Sequence, residues 1–192
     1  MAKRKMSVGG KFPLIAAFLA AAAILGALML HKYLARDPSP PVPAYQKPEG
    51  SFSAFLFFAS PDSGVLVREA REIGACRDDL STCIREVLEE LANGPLGDLS
   101  PTIPANSIFH SVRIHGNTAV VDLGKECIEG LPKSSSAEMT AVYSMVNTIS
   151  LNFPSIKQVH FQLDGVDINT FNGHLDLRKP LGPDFSLGQK RG

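Results

Sequence analysis

Residues 108–123 read IFHSVRIHGNTAVVDL, and this stretch decides the fold of the chain. Its first half has the period-two pattern of a strand. In that half Ile108, His110, Val112 and Ile114 alternate with Phe109, Ser111 and Arg113. Gly116-Asn117 is typical of a tight hairpin turn, and residues 118–123 return as the partner strand. The stretch therefore predicts a β-hairpin near the middle of the chain.

A helix pattern lies on the N-terminal side of this hairpin. Asp78 or Asp79 can cap its start, because a side-chain oxygen there accepts from a free backbone amide. Asn93-Gly94-Pro95 ends it, since Gly tolerates the left-handed cap and Pro cannot continue a helix. Apolar residues recur at helical spacing on one face: Leu80, Ile84, Val87, Leu88 and Leu91.

A second helix pattern lies on the C-terminal side. Ser135, with Glu138 three residues later, has the spacing of a capping box, and Pro154 ends the pattern. Its apolar face comprises Val142, Met145, Val146, Ile149 and Phe153. In the middle of this helix stands Asn147, which needs hydrogen-bond partners if it is buried. We expect its amide to bind a neighbouring loop, with residues 96–104 as the candidate.

Further strands are predicted on both sides. Residues 54–58 form a short apolar run that suits a strand buried on both faces, and residues 65–73 follow after a turn. Residues 158–163 and 166–168 flank Asp164-Gly165, which is typical of a type I′ turn. The order ββαββαββ predicts an α+β domain, with two helices packed on a mixed or largely antiparallel sheet.

An apolar segment precedes the domain. Residues 12–30 contain no charged side chain and are long enough to cross a hydrocarbon core of about 30 Å as a helix. Positive charge is concentrated before this segment, which favours an N-in orientation with the domain outside the cytoplasm. A cleaved signal peptide is the alternative, but the run is longer than the apolar core of such peptides and lacks a small-residue cleavage site.

These patterns divide the chain into five parts. Residues 1–11 are predicted to be cytoplasmic, residues 12–33 to form a single-pass anchor in the cytoplasmic membrane, and residues 34–52 to be a proline-rich linker. The domain occupies residues 53–181, and residues 182–192 are expected to be a flexible tail. Five prolines between positions 38 and 48 suit an extended spacer, because proline can neither continue a helix nor complete a sheet.

The charge of the domain bears on its partners. Residues 1–50 carry seven Lys and Arg against two acidic residues, so the remainder carries twelve against seventeen. A domain with an acidic excess lacks the basic surface that binds phosphate backbones, so no nucleic-acid partner is expected.

The three cysteines have no zinc-ligand spacing. A disulfide between Cys76 and Cys83 and three buried thiols, including Cys127, both remain open.

Catalytic chemistry is not indicated by any motif. The domain contains His110, His115, His160 and His174, but no serine lies in a Gly-x-Ser-x-Gly elbow. His174 and Asp176 are two residues apart on a strand-like segment, and two ligands do not make a metal site. We therefore predict no enzyme activity and no cofactor or metal. The alternative is a cell-wall hydrolase or other envelope enzyme that uses His and Asp residues of the domain.

The ordered motifs of the chain resemble the GerMN domain family, named for a spore-germination and sporulation protein. The resemblance covers about residues 53–181 and rests on Asn93-Gly94-Pro95, Ile103-Pro104, Val120-Val121-Asp122-Leu123, Val146-Asn147-Thr148, Asp164-Gly165 and Gly173-His174-Leu175-Asp176-Leu177. It implies an α/β domain of bacterial envelope proteins that acts in binding or scaffolding, linked to sporulation, germination or peptidoglycan. The chain differs from family members in having no lipid-accepting cysteine and only one copy of the domain.

Taken together, these observations predict a membrane-anchored, extracytoplasmic binding module of the bacterial cell envelope. Its expected partners are the membrane, through the N-terminal helix, and an envelope protein or peptidoglycan, with self-association as a further possibility. The candidate interaction surface combines the end of the first helix, the loop after it and the C-terminal stretch. Its residues are Asn93, Pro95, Asn106, Asn172, His174, Asp176 and Arg178.

Overall fold

The computed structural model of the chain describes residues 12–34, 50–74 and 79–188. Residues 1–46 and 47–192 form two compact units. Helix α1 (Phe12–Leu34) belongs to the first and covers the segment for which the sequence predicts an apolar helix. Within the described residues, no helix combines the length and the hydropathy that crossing a membrane requires. The predicted cytoplasmic residues 1–11, most of the linker and Cys76 lie outside the described residues. Cys83 and Cys127 are buried free thiols, so for these two the alternative of buried thiols holds and the disulfide at Cys83 does not.

The second unit is an α+β domain whose order of elements confirms the prediction. The structure adds one short helix, α3, that the sequence analysis does not predict. The elements are β1 (Phe52–Ala59), β2 (Leu66–Ile73), α2 (Leu80–Ala92), β3 (Phe109–His115), β4 (Thr118–Leu123), α3 (Glu126–Glu129), α4 (Ser135–Asn152), β5 (Gln158–Leu163), β6 (Val166–Asp167) and a 3-10 turn (Phe185–Leu187).

The strands form two sheets, where a single sheet was expected. Antiparallel β1 and β2 make a hairpin of their own, and the other sheet has the order β3-β4-β5-β6. In that sheet β4 and β5 are parallel, because α4 lies between them in the chain and returns it to the same end. The neighbouring pairs β3-β4 and β5-β6 are antiparallel. The second sheet is thus mixed, as predicted.

The two sheets stay separate because α4 occupies the free edge of β1. The Phe55 amide donates to Asn152 Oδ1 over 2.8 Å, and Asn152 Nδ2 donates to the Phe55 carbonyl over 2.7 Å. Two residues along, the Phe57 amide donates to Thr148 Oγ1 over 3.1 Å. Side chains of a helix therefore satisfy the backbone groups that a further strand would otherwise pair with.

Strand β3 departs from strict alternation. A bulge between Phe109 and Ser111 shifts the register, so both Phe109 and Val112 point into the core. His110, which the alternation placed on the same face as Val112, is exposed instead. The alternation of apolar and polar residues does not reveal a bulge. The extra residue changes which side chains face the core, but it does not change the residue types in the sequence.

The core lies between the helices and the two sheets. Helix α2 packs against β3, α4 packs against β1, and the two helices contact each other. The α2 face predicted from the sequence is largely buried, as is Cys83, and Asp79 caps the helix by accepting from the Thr82 amide over 2.8 Å. In β1 only part of the prediction holds, because Ala54, Leu56, Phe57 and Phe58 are buried whereas Phe55 is 39 % exposed.

Residues 182–188, assigned above to a flexible tail, are hydrogen-bonded to the domain. The Asp184 amide donates to Asn147 Oδ1 over 2.9 Å, and Asn147 Nδ2 donates to the Asp184 carbonyl over 2.8 Å. The ring of Phe185 lies 6.0 Å from that of Phe57. Asn147 does bind a neighbouring loop, but this is the C-terminal segment and not the expected residues 96–104. Its position on α4 faces the returning end of the chain, which the local sequence does not reveal.

Candidate interaction surface

The predicted surface residues fall into two places. Asn93 and Pro95 line a groove of about 790 Å³. His174, Asp176 and Arg178 line a shallower depression of about 310 Å³. The remaining two lie outside both linings: Asn106 is exposed and Asn172 is half-buried.

The first wall of the groove is the turn that follows α2. Gly94 has a φ of +83°, a left-handed conformation that glycine adopts without strain. Behind this turn, Glu69 of β2 accepts from the Leu96 amide over 3.1 Å and from the Gly97 amide over 3.3 Å. Arg71 donates to the Gly94 carbonyl over 3.0 Å and also forms an ion pair with Glu69. The turn is therefore held by an ion pair anchored in a strand.

Glu69 and Arg71 were not predicted to take part in the surface. The sequence does contain a signal for their role. Glu69 and Arg71 stand on one face of β2 between the apolar Val67 and Ile73, and two charged side chains of opposite sign are unusual there. Burial raises the pKa of Glu69, but the hydrogen bonds from Leu96, Arg71 and Gly97 outweigh it and lower the pKa below its ordinary value. The carboxylate thus stays ionised beside Arg71.

The second wall is formed by residues 101–105. The chain enters it from Ser100, whose backbone exchanges two hydrogen bonds with Ala59 at the end of β1, over 2.8 and 3.0 Å. At its far end Pro104 packs against Gly130. A Cβ atom added at Gly130 would lie 2.8 Å from Pro104 Cγ, so only glycine allows this contact. The loop is thereby fixed at both ends.

The third side is the first turn of α4, and here the predicted capping box is wrong. Ser134, not Ser135, is the N-cap residue, and its Oγ accepts from the Ala137 amide over 3.2 Å. Glu138 then lies one position too far along the helix to reach back to the cap. Its side chain turns inward and is fully buried. Ser134, Ser136, Ala137 and Thr140 line the groove from this helix.

Glu138 holds the other candidate site together. Its carboxylate accepts from Thr170 Oγ1 over 2.6 Å, from the Phe171 amide over 2.9 Å and from the His174 amide over 2.9 Å. Burial raises the pKa of Glu138, but these hydrogen bonds, with one from the Asn172 amide, lower it below the ordinary value. Glu138, which the sequence predicts to cap α4, thus anchors the 170–174 loop instead.

In the depression beside this loop, Asp176 is bound by Arg178. Arg178 Nε donates to Asp176 Oδ1 over 2.8 Å and its Nη2 donates to Oδ2 over 2.7 Å. This bidentate contact lowers the pKa of the Asp176 carboxyl and occupies both of its oxygens. Among the residues that the structure describes, no group of three or more His, Cys, Asp or Glu side chains could hold a metal ion.

Two of the other histidines, His110 and His160, pair with carboxylates of β5 and β6 or the turn between them. His110 Nε2 lies 3.0 Å from Asp164 Oδ1, and His160 Nε2 lies 3.0 Å from Asp167 Oδ1. Asp164 occupies the predicted turn with a φ of +50°. The alternative of a hydrolase requires His–Asp contacts of this kind, yet neither pair lines the groove or the depression.

The groove itself is lined by uncharged residues. Proline, alanine and glycine supply most of the lining, and hydroxyl groups of Ser63, Thr102, Ser134, Ser136 and Thr140 border it. Such a surface offers apolar contact and neutral hydrogen bonds, with no fixed charge to attract an ion. Its three sides are held by contacts within the domain, so the groove is preformed.

The chain is similar to one protein family and to several solved structures. Residues 55–169 match the family model Germane, described as sporulation and spore germination. A crystal structure of a "Putative Lipoprotein from Clostridium perfringens" is 25% identical, with a TM-score of 0.50, and the match covers 71% of this chain and 91% of that one. Among curated proteins, no relative matches the chain.

Two structures of the sporulation protein GerM from Bacillus subtilis share the fold. The first GerMN domain is 19% identical, with a TM-score of 0.52, over 69% of this chain and 96% of that one. The tandem GerMN domains are 20% identical, with a TM-score of 0.56, over 69% of this chain and 46% of that one. The motifs and the fold agree with the family model, and the chain belongs to the Germane family of sporulation and spore germination domains.

Proposed function

We propose that the chain is a membrane-anchored, extracytoplasmic binding module of the bacterial cell envelope, and that the groove is its binding surface. The single observation that carries this proposal is the preformed, uncharged groove between the turn after α2, residues 101–105 and the start of α4. A rigid site loses less conformational entropy when it binds a partner than a flexible one does. Non-enzymatic binding accounts for this arrangement without requiring a catalytic group in the groove.

The lining of the groove favours a protein partner over peptidoglycan. Peptidoglycan carries carboxylates, and a site that selects them would place arginine or lysine within reach. The groove has no such residue among its lining positions, whereas its proline, alanine and hydroxyl groups suit an uncharged protein segment. We therefore propose an envelope protein as the partner, with a role in sporulation or germination as the family description indicates.

The anchor is proposed from the sequence. Residues 12–30 contain no charged side chain, and Lys3, Arg4, Lys5 and Lys11 before them favour an N-in topology if the segment spans the membrane. The similar Clostridium perfringens protein is named a "Putative Lipoprotein", and a lipid anchor is a different means of attachment to a membrane. Attachment of a domain of this fold to a membrane is common to both and supports the proposal.

Photo-cross-linking in cells tests the groove. A benzoylphenylalanine at Ser136, which lines the groove, should cross-link the full chain to one discrete envelope protein. The matched control is the same group at Ser155, an exposed serine beyond the opposite end of α4, a helix about 27 Å long. No cross-link at position 136, or the same products from both positions, would contradict the groove as a protein-binding site.

Co-sedimentation with purified sacculi tests the choice of partner. If a protein is the partner, the full chain in mild detergent stays in the supernatant, and a Ser136→Trp variant behaves in the same way. If the wild-type chain sediments and Ser136→Trp releases it while Ser155→Trp does not, the groove binds peptidoglycan and the proposed protein partner is wrong. Thermal melts of both variants establish that they remain folded.

A further inference from the structure

The outer face of the β1–β2 hairpin carries apolar side chains that the main core does not use. Every second side chain of β1 from position 54 to position 58 points into that core. The opposite face carries Phe57, which stands across from Arg68, and Leu66, which is two residues before Arg68 on β2. Phe57 and Leu66 are each only 3 % exposed. Another part of the chain therefore covers this face.

The C-terminal segment supplies the cover. The ring of Phe185 lies 6.0 Å from that of Phe57, and Gly188 forms a backbone bridge with Leu66. A Cβ atom added at Gly188 would lie 3.2 Å from the Leu66 carbonyl oxygen, so this close approach favours glycine. Between the segment, the hairpin and Leu151 of α4 a cavity of about 570 Å³ remains, which we call the hairpin pocket. It differs from the groove, because no lining residue is shared.

The hairpin pocket is preformed and has an aromatic rim. The two hydrogen bonds between Asn147 and Asp184 fix the chain immediately before Phe185. The Gly188 amide then donates to the Phe185 carbonyl over 3.2 Å. Phe185 is nevertheless 48 % exposed, and Phe55 beside Phe57 on the same face of β1 is 39 % exposed. Large apolar side chains that are exposed together around a cavity are typical of a binding site.

The side chains of the pocket suit an acyl chain better than a peptide. Apart from Arg68, the described lining residues are phenylalanine, leucine, valine and glycine. No side-chain hydroxyl, amide or carboxylate is among them. A peptide segment would bring backbone N–H and C=O groups into the pocket, and these groups lose free energy when they leave water without a partner. An acyl chain has no polar group along its length and avoids this loss.

Arg68 supplies a positive charge at the edge of the pocket. Its Cζ atom lies 5.6 Å from the centre of the Phe55 ring, a contact that holds the guanidinium group in place. Arg71, Arg85 and Arg178 each form an ion pair with a carboxylate. Arg68 forms none within the part of the chain that the structure describes. Its planar group of donors matches the geometry of a carboxylate or a phosphate.

We propose that the hairpin pocket binds an amphiphile with a single acyl chain and a carboxylate or phosphate head. The acyl chain packs among Phe57, Leu151 and Phe185, and Arg68 binds the head. The volume of the pocket lies in the range of sites for small molecules. A fatty acid and a single-chain lipid derived from a phospholipid both have this chemistry. The inference does not depend on the function proposed for the groove.

Photolabelling of the full chain in phosphatidylcholine nanodiscs tests the pocket. The probe is a fatty acid that carries a diazirine at its methyl end. Peptide mapping should find the label near Leu151 or Phe185. Leu151→Trp fills the pocket and should abolish this labelling. The matched control is Ser136→Trp, which places the same side chain on the same helix but in the groove and should leave the labelling unchanged.

Thermal melts establish that both tryptophan variants remain folded. Equal labelling of the two variants, or no label near residues 151 and 185 in the wild-type chain, would overturn the proposal. Leu151→Trp should also leave the cross-linking from position 136 unchanged, since Leu151 does not line the groove. Failure of the pocket and failure of the groove are thus separate outcomes.

Competition by amphiphiles of one chain length tests the role of Arg68. Dodecanoate and dodecyl phosphate carry an anionic head, whereas dodecanol does not. We expect at least one of the two anions to displace the probe about fivefold better than dodecanol, because an exposed arginine contributes a modest attraction. The stronger anion distinguishes a fatty acid from a lipid with a phosphate head. Arg68→Gln should remove the preference for an anion.

The control for this variant is Arg85→Gln, which removes the same charge from α2 outside the pocket. It should retain the preference of the wild-type chain. Equal displacement by all three amphiphiles from the wild-type chain, or a preference for an anion that survives Arg68→Gln, would overturn the proposal.

Discussion

Two carboxylates, the half-buried Glu69 and the fully buried Glu138, hold the loops that form the candidate sites. Each accepts hydrogen bonds from backbone amides of a loop distant in sequence, and each is kept ionised by those bonds. A carboxylate suits this task because it has only acceptor sites, whereas an amide side chain would direct two donors at amides that also donate. The negative charge of each side chain is thus needed to hold its loop in position.

Replacing Glu138 with glutamine tests this at the scale of one residue. We expect Glu138→Gln to lower the free energy of unfolding by about 3 kcal/mol, because buried amides of the 170–174 loop lose an ionised acceptor. Denaturant unfolding of the chain measures the loss. The control is Glu129→Gln, an exposed glutamate of α3, which should change stability little. Equal effects of the two substitutions would show that Glu138 does not anchor the loop.

The pKa of Glu138 predicts a pH dependence. Because the folded state lowers this pKa, the carboxylate contributes stability above the unfolded pKa and loses it as the pH falls through the folded value. The wild-type chain should therefore lose stability as the pH falls below about 4.3, the ordinary pKa of a glutamate. Free energies of unfolding measured from pH 6 to pH 3 should show a shallower acid decline for Glu138→Gln. Parallel curves would contradict the assignment.

At the scale of elements, α4 protects the edge of β1 with side chains. Asn152 exchanges two hydrogen bonds with the backbone of Phe55, as a neighbouring strand would, and Thr148 accepts from Phe57. The helix thereby prevents β1 from joining another sheet.

Asn152→Ala tests this protection. We expect a loss of about 2 kcal/mol, because the amide and carbonyl of Phe55 lose their partners. Hydrogen exchange at the Phe55 amide should become faster than at other β1 amides. The control is Ser150→Ala on the same helix, whose buried Oγ has no hydrogen-bond partner among the described residues. If exchange at Phe55 is unchanged in Asn152→Ala, the side chain does not substitute for a strand.

At the scale of the whole molecule, the proposed anchor and the domain are separable units. If residues 12–30 span the membrane as proposed, the full chain should stay with membranes after alkaline carbonate extraction, because a spanning segment leaves lipid only at a large cost. A chain that begins at Lys47 contains the second compact unit and should be released. Mass spectrometry of the membrane-bound form tests cleavage, and a mass that lacks the first thirty or so residues would identify a signal peptide instead.

Much of the fold could be predicted from the sequence. The positions of the helices and hairpins follow from local patterns: the Asp79 cap, the Asn93-Gly94-Pro95 stop and the Asp164-Gly165 turn. These signals involve residues that are close together in the chain, so they can be recognised in the sequence without knowledge of the fold. The family resemblance also rests on such short motifs in order, and the family model confirms it.

The arrangement that makes the surface was decided only by the tertiary structure. The bulge in β3, the contact of Asn147 with Asp184, and the inward turn of Glu138 depend on residues far apart in sequence. A one-residue shift of the α4 cap was enough to change Glu138 from a capping residue into the anchor of a loop. Local patterns determine which segments are helices and strands, whereas buried polar side chains take whichever partners the packing brings within reach.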